Sequence, residues 1–303
     1  MTRTWTDVFA DGPVVVDGGL STQLEAQGHD VSGVLWTGRV LLEDPGAVTR
    51  AHAAYVQAGA DVVITASYQV SRSGFEEAGL APAQADAALL ASIGAARDAV
   101  DGTASRVAAS VGPYGAILHD GSEYRGRYGL THQQLVDFHG ERLDVLAGGS
   151  PDLLAIETIP DVDEAAALVD VLADHPGLPA WMCFSAADDE HTCAGQPIEE
   201  AVAVALNAPS VVAVGINCTD PRHVAGLVTR MRTVTDLPIV VYPNAGGAWD
   251  PVDGTWHESG DGVFPDEIVS SWQAAGAMAI GGCCGTDARA VAAIGRLLAQ
   301  PGA

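Results

Sequence analysis

Short apolar runs rich in β-branched residues alternate with longer amphipathic or alanine-rich runs along most of the chain. The short runs have the length and composition of strands, and the longer ones have the periodicity of helices. The pattern predicts strands at 14–19, 61–69, 106–111, 153–158, 180–185, 210–217, 238–242 and 277–280. Predicted helices follow at 47–58, 83–100, 131–147, 163–173, 197–206, 266–275 and 287–299, with one more starting at 219–221.

Strands that alternate with helices predict a parallel sheet. Eight strand–helix pairs in a chain of 303 residues predict an α/β fold, a (β/α)8 TIM barrel. An open doubly wound sheet is the second interpretation, but no Gly-x-Gly-x-x-Gly follows the first strand. No linker or change of composition divides the chain, so we expect one domain over residues 1–303.

The charge of the chain narrows the classes of partner. Its 14 basic residues are all arginine, and against 39 acidic residues they leave a net charge of −25. Such a charge disfavours nucleic acids and anionic membranes, whose binding relies on basic residues. It suits a small cationic substrate, or serves solubility alone. Without lysine, mechanisms that need a Schiff base or a Walker-A lysine are excluded.

Cysteine usage and hydropathy bear on location. The five cysteines are an odd number without the spacing of a small disulfide-bonded domain, which favours a reducing compartment and metal-binding or reactive thiols. The first residues lack the apolar core of a signal peptide, and no apolar run reaches the roughly 20 residues of a membrane span. We therefore expect a cytoplasmic protein; the sequence leaves its oligomeric state open.

Three cysteines follow predicted strands at the end of the barrel where active sites lie. Cys218 follows the sixth strand, and Cys283 and Cys284 follow the eighth. Three thiolates that converge on one point suit zinc, and three protein ligands with one open position are typical of a catalytic zinc site. Asn244, after the seventh strand, is either a displaceable fourth ligand or a turn residue beside Pro243.

Adjacent side chains of a strand point to opposite faces, so Cys283 and Cys284 can share one metal ion only if the backbone leaves strand geometry there. Gly281, Gly282 and Gly285 provide that conformational freedom. The alternative to a metal site is that Cys283 and Cys284 are simply two buried thiols at a glycine-rich strand end.

Other polar residues at the predicted rim are less specific. Asp17 and Glu157 end apolar strands, where a carboxylate either pairs with an arginine or binds an amino group or performs acid–base chemistry. No histidine motif of an amidohydrolase or a zincin is present. Histidines in the helical segments, including His52 and His139, are interpreted as surface residues.

No role is assigned at this stage to Cys193, or to His191 and His257 in loops on the side of the predicted site.

Short motifs at the predicted strand ends and in the loops that follow them occur in a specific order. They are Asp-Gly-Gly (17–19), Ile-Thr-Ala-Ser-Tyr-Gln (64–69), Ser-Val-Gly-Pro-Tyr-Gly (110–115), Asp-Gly-Ser-Glu-Tyr-Arg-Gly (120–126), Glu-Thr-Ile-Pro (157–160), Gly-Ile-Asn-Cys (215–218), Val-Tyr-Pro-Asn (241–244) and Gly-Gly-Cys-Cys-Gly-Thr (281–286). With these motifs the chain closely resembles the homocysteine S-methyltransferases from about residue 12 to 298.

The resemblance implies a (β/α)8 barrel with a catalytic zinc ion held by Cys218, Cys283 and Cys284. It implies that Asp17 and Glu157 bind the homocysteine amino group, with Thr65 or Ser67 near the amino-acid end. The homocysteine sulfur is expected to take the open zinc position, which the residue matching Asn244 can occupy beforehand. No catalytic side chain beyond the zinc-bound thiolate is therefore predicted.

Within the family, the loop motifs look most like the branch that uses a sulfonium donor, S-methylmethionine or S-adenosylmethionine. Two departures concern the donor: Gly285-Thr286 stands where that branch often has Arg-Thr, and Gly19-Leu20-Ser21 replaces a commoner Ala-Met-Ala. A betaine-type donor and a non-catalytic, zinc-stabilised barrel are kept as alternatives. A redox role for Cys283-Cys284 is disfavoured because adjacent cysteines form a strained ring.

Overall fold

Eight parallel strands form the centre of the protein in a computed structural model that describes residues 5–31, 35–246, 248–250, 255–257 and 262–300. The strands are β1 (Val14–Val15), β2 (Val62–Ile64), β3 (Arg106–Val111), β4 (Leu153–Ile159), β5 (Ala180–Phe184), β6 (Val211–Asn217), β7 (Ile239–Tyr242) and β8 (Ala277–Ile280).

The sheet closes on itself. Its strand order is β1-β8-β7-β6-β5-β4-β3-β2, so each strand pairs with its neighbour in sequence and β1 pairs with β8. A bridge between Val16 and Val62 joins β1 to β2, and the Asp17 N–H donates to the Val62 carbonyl at 3.0 Å. The predicted TIM barrel is confirmed, which places the carboxyl ends of all eight strands at one rim.

Helices surround the barrel and fill the connections between its strands. They are α1 (Trp5–Ala10), α2 (Leu20–Ala26), α3 (Thr37–Glu43), α4 (Pro45–Gln57), α5 (Arg72–Glu77), α6 (Pro82–Val100), α7 (His132–Gly148), α8 (Val162–Leu172), α9 (Ile198–Ala205), α10 (Val224–Met231), α11 (Asp266–Ala275) and α12 (Ala288–Leu298). Two 3-10 turns, Tyr114–Ile117 and Ser122–Tyr124, lie in the loop after β3. None of these described helices is long and apolar enough to span a membrane.

The core has two layers because successive residues of each strand face opposite sides. One layer lies between the strands and the helices, and the other fills the barrel interior. Helix α1 covers the amino-terminal end of the interior layer, where the Trp5 ring meets the Trp181 ring edge-on at 6.4 Å. The barrel is therefore packed from that end upward, and open space begins only at the opposite rim.

Several boundaries differ from the prediction. Strands β1 and β2 are shorter than 14–19 and 61–69, because the chain turns away at the rim to present side chains to the cavity described below. The helix expected from 219–221 begins at Val224; the Asp220 carboxylate instead accepts the Arg222 N–H at 2.9 Å and stabilises a turn before the helix. An antiparallel pair, Ala248–Asp250 with Thr255–His257, lies in the long loop after β7.

The interpretation of His52 and His139 as surface residues is wrong, since both side chains are fully buried. They lie on the inner faces of α4 and α7, where the helical pattern gives no distinction between a buried and an exposed histidine.

Candidate active site

The thiols of Cys218, Cys283 and Cys284 meet at the barrel rim. Their three sulfur atoms all lie within 4.8 Å of one another, and those of Cys283 and Cys284 are 4.0 Å apart. A tetrahedral zinc ion with Zn–S bonds of about 2.3 Å holds its sulfur ligands about 3.8 Å apart. The cluster therefore fits such an ion in spacing and in donor type. Among the described residues it is the one group of three side chains suited to metal binding.

The backbone leaves strand geometry at the thiols. Cys283 and Cys284 lie outside β8, as expected. Cys218, directly after β6, has φ of 46°, in the left-handed region that non-glycine residues rarely occupy. Thr158, at φ of 61°, does the same in β4. The Thr158 N–H donates to Asn217 Oδ1 at 2.6 Å, and Asn217 Nδ2 donates back to Thr158 Oγ1 at 2.8 Å. This reciprocal pair holds both unusual conformations in place beside the cluster.

Glycines let the loops after β1 and β8 pack closely. A Cβ atom at Gly19 would lie 2.5 Å from the Cys283 carbonyl oxygen, and one at Gly281 would lie 2.7 Å from the Asp17 carbonyl oxygen. Within the loop after β8, a Cβ atom at Gly282 would lie 2.3 Å from Thr286 Oγ1. Only Gly285, at φ of 79°, needs the left-handed conformation. Gly281 and Gly282 are thus required for close approach, whereas the sequence argument ascribed to them conformational freedom.

Hydrogen bonds join the same two loops. Thr286 Oγ1 donates to the Cys283 carbonyl at 2.6 Å and accepts from the Gly19 N–H at 3.2 Å. The Tyr55 hydroxyl, from α4, donates to the Gly19 carbonyl at 2.8 Å. The seam between β1 and β8 is therefore fixed by contacts that also set the position of Cys283.

Asn244 lies beside the cysteine pair but outside the lining of the cavity. The Cys283 N–H donates to the Pro243 carbonyl at 2.8 Å, and the Ala245 N–H donates to the Cys284 carbonyl at 2.9 Å, so these bonds bracket Asn244. Its side chain is buried, and its Oδ1 atom has no hydrogen-bond partner within the described part of the chain. An unpaired oxygen at this point keeps its acceptor capacity for another group.

Asp17 and Glu157 are buried in the wall of the cavity next to the thiols. Asp17 Oδ2 accepts the Ile64 N–H at 2.8 Å, and Glu157 Oε1 accepts the Ser110 hydroxyl. Burial raises the pKa of Asp17 well above its usual range and raises that of Glu157 to about 8, since neither carboxylate has a cationic partner here. The ion-pair alternative thus receives no support, and a bound cation would relieve both desolvation costs.

Thr65 and Ser67 occupy different positions. Thr65 lines the cavity, and its hydroxyl accepts the Ser110 N–H at 3.0 Å. Ser67 is buried behind it, 2.7 Å from the Thr65 hydroxyl, and donates to the Ser110 carbonyl at 2.7 Å. The structure therefore brings Thr65 to the cavity and leaves Ser67 as its support.

The three thiols influence one another through hydrogen bonds. Those from Cys218 and Cys283 lower the pKa of the Cys284 thiol well below its usual range. The bond to Cys218, followed by the bond to Cys284, raises the pKa of Cys283 well above it. The three thiols therefore ionise as one coupled group.

The cavity inside this rim, together with the open space at its mouth, has a volume of about 720 Å³. Tyr68 and Tyr124 also line the cavity, as aromatic residues near its mouth could be expected to do, and so does Glu123, which the sequence did not single out. Glu123 belongs to a motif that is apparent in the sequence, but the polar character of 120–128 gave no indication that its side chain turns inward. Gly115 is the one local signal, because a Cβ atom there would lie 2.5 Å from the Glu123 nitrogen.

Two of the residues without an assigned role, His191 and Cys193, are not members of the thiol cluster. His191 pairs with Asp188, its Nδ1 3.1 Å from both carboxylate oxygens, and is partly exposed. Cys193 is half-buried and is not part of the thiol cluster, and burial raises its pKa to about 11. The side chain of His257 lies outside the described residues.

Comparison with known proteins identifies the family of the chain. A family model described as homocysteine S-methyltransferase matches residues 14–298. The chain belongs to the homocysteine S-methyltransferase family. It is 42% identical over 310 residues to homocysteine S-methyltransferase 4 of Zea mays, covering 96% of this chain and 91% of that one. It is 40% identical over 290 residues to the Escherichia coli (strain K12) homocysteine S-methyltransferase, covering 93% and 94% of the two chains.

A solved structure extends the family likeness to three dimensions. The metallated form of the homocysteine methyltransferase MmuM from Escherichia coli superposes with a TM-score of 0.85 at 38% identity, covering 95% of this chain and 97% of that one. Membership of this family makes the protein a methyltransferase that acts on small molecules.

Proposed function

We propose that the protein transfers a methyl group from a sulfonium donor to homocysteine, giving methionine, with zinc bound by Cys218, Cys283 and Cys284. The observation that carries the proposal is the placement of a three-thiol cluster and two buried, unpaired acids around one cavity. The donor is S-methylmethionine, with S-adenosylmethionine as a second sulfonium substrate. A cytoplasmic location agrees with five free thiols, since that compartment keeps thiols reduced.

The donor set favours zinc over harder cations, because thiolates are soft ligands. A zinc ion held there supplies a positive charge that lowers the pKa of a substrate thiol, so homocysteine can react as a thiolate at neutral pH. Cys218, Cys283 and Cys284 would hold the ion and would leave one ligand position to another donor atom. Asn244 Oδ1, which is buried and has no hydrogen-bond partner in the described part of the chain, is the protein atom that we propose as a displaceable fourth ligand.

Asp17 and Glu157 hold the homocysteine amino group in this proposal. Both carboxylates lie in the cavity wall within electrostatic reach of each other, and an ammonium group between them would supply the countercharge that they lack. Thr65 offers a hydroxyl on the same wall, and Ser67 fixes its orientation. The amino-acid end is thereby held while the sulfur faces the thiol cluster.

The reaction is a single displacement. A bond forms between the homocysteine sulfur and the methyl carbon while the bond from that carbon to the donor sulfur breaks. The electron pair of the broken bond stays on the donor sulfur, which leaves as a neutral thioether, and the homocysteine thiol proton passes to solvent. Opposite charges combine, so a cavity that excludes water and aligns the three atoms promotes the step without a general base.

A cysteine pair tests the role of the cluster. In Cys284→Ser we expect zinc binding to weaken and the rate of methionine formation to fall at least about 100-fold, since even outer-shell changes cost 10- to 100-fold at metal sites. Cys193→Ser is the matched control, because Cys193 lies outside the cluster, and it should retain both properties. Full activity in Cys284→Ser, or an active wild type without zinc, would contradict the proposal.

A comparison of donors tests the remaining alternatives. Purified protein is assayed for methionine formation from homocysteine with S-methylmethionine, S-adenosylmethionine and betaine in turn. Activity with betaine alone would replace the sulfonium assignment. Absence of transfer from every donor, with zinc bound and unaffected by homocysteine, would favour the non-catalytic, zinc-stabilised barrel.

A further inference from the structure

The cavity contains a third acid that the homocysteine-binding residues leave unused. Glu123 lies in the 3-10 turn Ser122–Tyr124, which the chain enters through Gly121 at a left-handed φ of 77°. Its carbonyl accepts the Ser185 hydroxyl at 3.5 Å, which ties the turn to the end of β5. The turn therefore places the Glu123 side chain in the cavity wall from the loop side.

The Glu123 carboxylate has unused bonding capacity. Its Oε2 atom is buried and has no hydrogen-bond partner among the residues that the structure describes. Burial raises its pKa to about 7, with Cys218 and Asp120 adding repulsion. A buried carboxyl group without a partner is costly to ionise, so its surroundings are suited to a cationic ligand.

The chain supplies no cation at this point. Within the described part of the cavity wall, no residue is basic. The two arginines of the same loop are engaged elsewhere: Arg125 Nη2 donates to Ser122 Oγ at 2.5 Å, and Arg127 Nη2 donates to the Ala194 carbonyl at 2.7 Å. The described residues therefore leave the countercharge of Glu123 to a ligand.

Glu123 also stands apart from the other two acids. The main electrostatic neighbour of Asp17 is Glu157, whereas those of Glu123 are Cys218 and Asp120. Tyr68 is within electrostatic reach of both Glu123 and Glu157, and the influence of Glu123 is the larger. Glu123 and Tyr68 thus form a second region of the cavity wall, beside Cys218.

Aromatic rings complete the second region. Tyr68 and Tyr124 line the cavity beside Glu123, and the Trp36 ring meets the Tyr68 ring edge-on at 6.2 Å. Aromatic faces attract alkylated cations, which are weakly hydrated and cannot form strong hydrogen bonds. An acid next to such rings suits an onium centre better than a metal ion.

We propose that Glu123, with Tyr68 and Tyr124, forms the subsite for the onium centre of the methyl donor, a sulfonium in the function proposed above, on which this inference rests. The position beside Cys218 would bring the methyl carbon next to the thiol cluster, where the homocysteine sulfur is held. Release of the neutral thioether product follows, because loss of the positive charge removes its attraction to Glu123.

Glu123→Gln tests the assignment in the zinc-loaded enzyme, because it removes the charge and keeps the shape. We expect the KM for S-methylmethionine to rise about 10- to 100-fold, as removal of one charge at close range implies. The KM for homocysteine and the zinc content should stay within about twofold. Asp120→Asn, a partly exposed acid of the same loop, is the charge-matched control and should leave the donor KM nearly unchanged.

A neutral isostere separates the sulfonium from the amino group of the donor. 2-Amino-5-methylhexanoic acid replaces the sulfonium sulfur with CH, so its inhibition constant against S-methylmethionine should not change in Glu123→Gln. Equal weakening of donor and isostere would assign Glu123 to the donor amino group and overturn the proposal. Glu123→Asp, which keeps the charge one methylene farther away, should give a donor KM between those of the wild type and Glu123→Gln.

The remaining outcomes are equally distinct. An unchanged donor KM in Glu123→Gln, with an active wild type, would overturn this inference alone. A loss confined to betaine would contradict the sulfonium assignment. No methyl transfer by the wild type would instead overturn the proposed function.

Discussion

Two groups of buried polar residues lie close together and differ in whether the protein itself provides partners for their charges. The inner group lines the cavity: Asp17, Glu123, Glu157 and the three cysteines. The outer group lies between helices α7 and α8 and the strand-end loops behind β2 to β4: His139, Arg142 and Glu164. The inner acids have no cationic partner in the described cavity wall, whereas in the outer group Arg142 and Glu164 form several hydrogen bonds with the protein.

The contacts of Arg142 illustrate the outer group. Its Nε donates to the Val70 carbonyl at 3.0 Å, its Nη1 to Gly112 at 2.9 Å and its Nη2 to Tyr68 at 2.8 Å. Glu164 accepts from the Tyr114 N–H at 2.6 Å and from the Tyr128 hydroxyl at 3.1 Å.

The outer group thus holds the backbone of the loops that carry Tyr68 and Glu123. The hydrogen-bonded charges of the outer group fix the position of the cavity wall. The acids within that wall have no cationic partner among the described residues, so they can bind a cationic ligand.

Loss of Arg142 should have the largest effect on stability. In Arg142→Met we expect the free energy of unfolding to fall by about 3–5 kcal/mol, because several buried carbonyls lose their donor and Glu164 loses its nearby positive charge. Arg72→Met is the matched control; Arg72 forms a partly exposed ion pair with Asp86, worth about 1 kcal/mol or less. Urea unfolding of both variants measures the difference, and equal losses would contradict the role assigned to the outer group.

His52 tests whether an unpaired buried group must belong to a binding site. Neither ring nitrogen has a partner in the described residues, yet His52 lies on α4 and does not line the cavity. Burial lowers its pKa from 6.5 to about 4, so between these pH values the unfolded chain takes up a proton that the folded protein does not. Stability should therefore decrease as the pH falls through this range, by at most about 3 kcal/mol.

The measurement is urea unfolding at pH 8 and pH 4.5 for the wild type and His52→Leu. The variant should lose less stability on acidification and keep its activity at pH 8. Identical pH profiles would show that His52 does not contribute, and lost activity in a stable variant would connect it to the site.

The same substitution in each group gives the finest comparison. Glu157→Gln should raise the KM for homocysteine about 30-fold, equivalent to about 2 kcal/mol, without loss of stability, because the amide can still accept the Ser110 hydroxyl. Glu164→Gln should lower the free energy of unfolding by about 1–2 kcal/mol and leave that KM within about threefold. The distinction between the two groups would be wrong if Glu164→Gln raised the KM for homocysteine, if Glu157→Gln lowered the free energy of unfolding, or if both variants did both.

The barrel, its rim and the thiol cluster could be predicted from the sequence because each depends on a repeating local pattern. Alternating apolar runs fix the number of strands, closure follows from that number, and the strand ends bring Cys218 next to Cys283 and Cys284. Asp17 and Glu157 could be selected in the same way, since they end apolar strands.

The remaining features depend on long-range contacts that leave no periodic pattern. Glu123 reaches the cavity through a left-handed Gly121 and a bond to Ser185, 62 residues away. His52 and His139 occupy helical positions whose burial depends on which neighbouring helix packs against them. Helix α10 begins later than predicted because the Asp220 carboxylate accepts the Arg222 N–H in a turn whose sequence resembles a helix cap.

The seam between β1 and β8 has a consequence for biosynthesis. Gly19 and Thr286, which join across it, are 267 residues apart in sequence. A nascent chain that still lacks β8 contains only Cys218 of the three thiols, and the loop that packs against Asp17 has not been synthesised. Zinc binding by all three thiols, as proposed above, would therefore require that β8 has been made and has paired with β1.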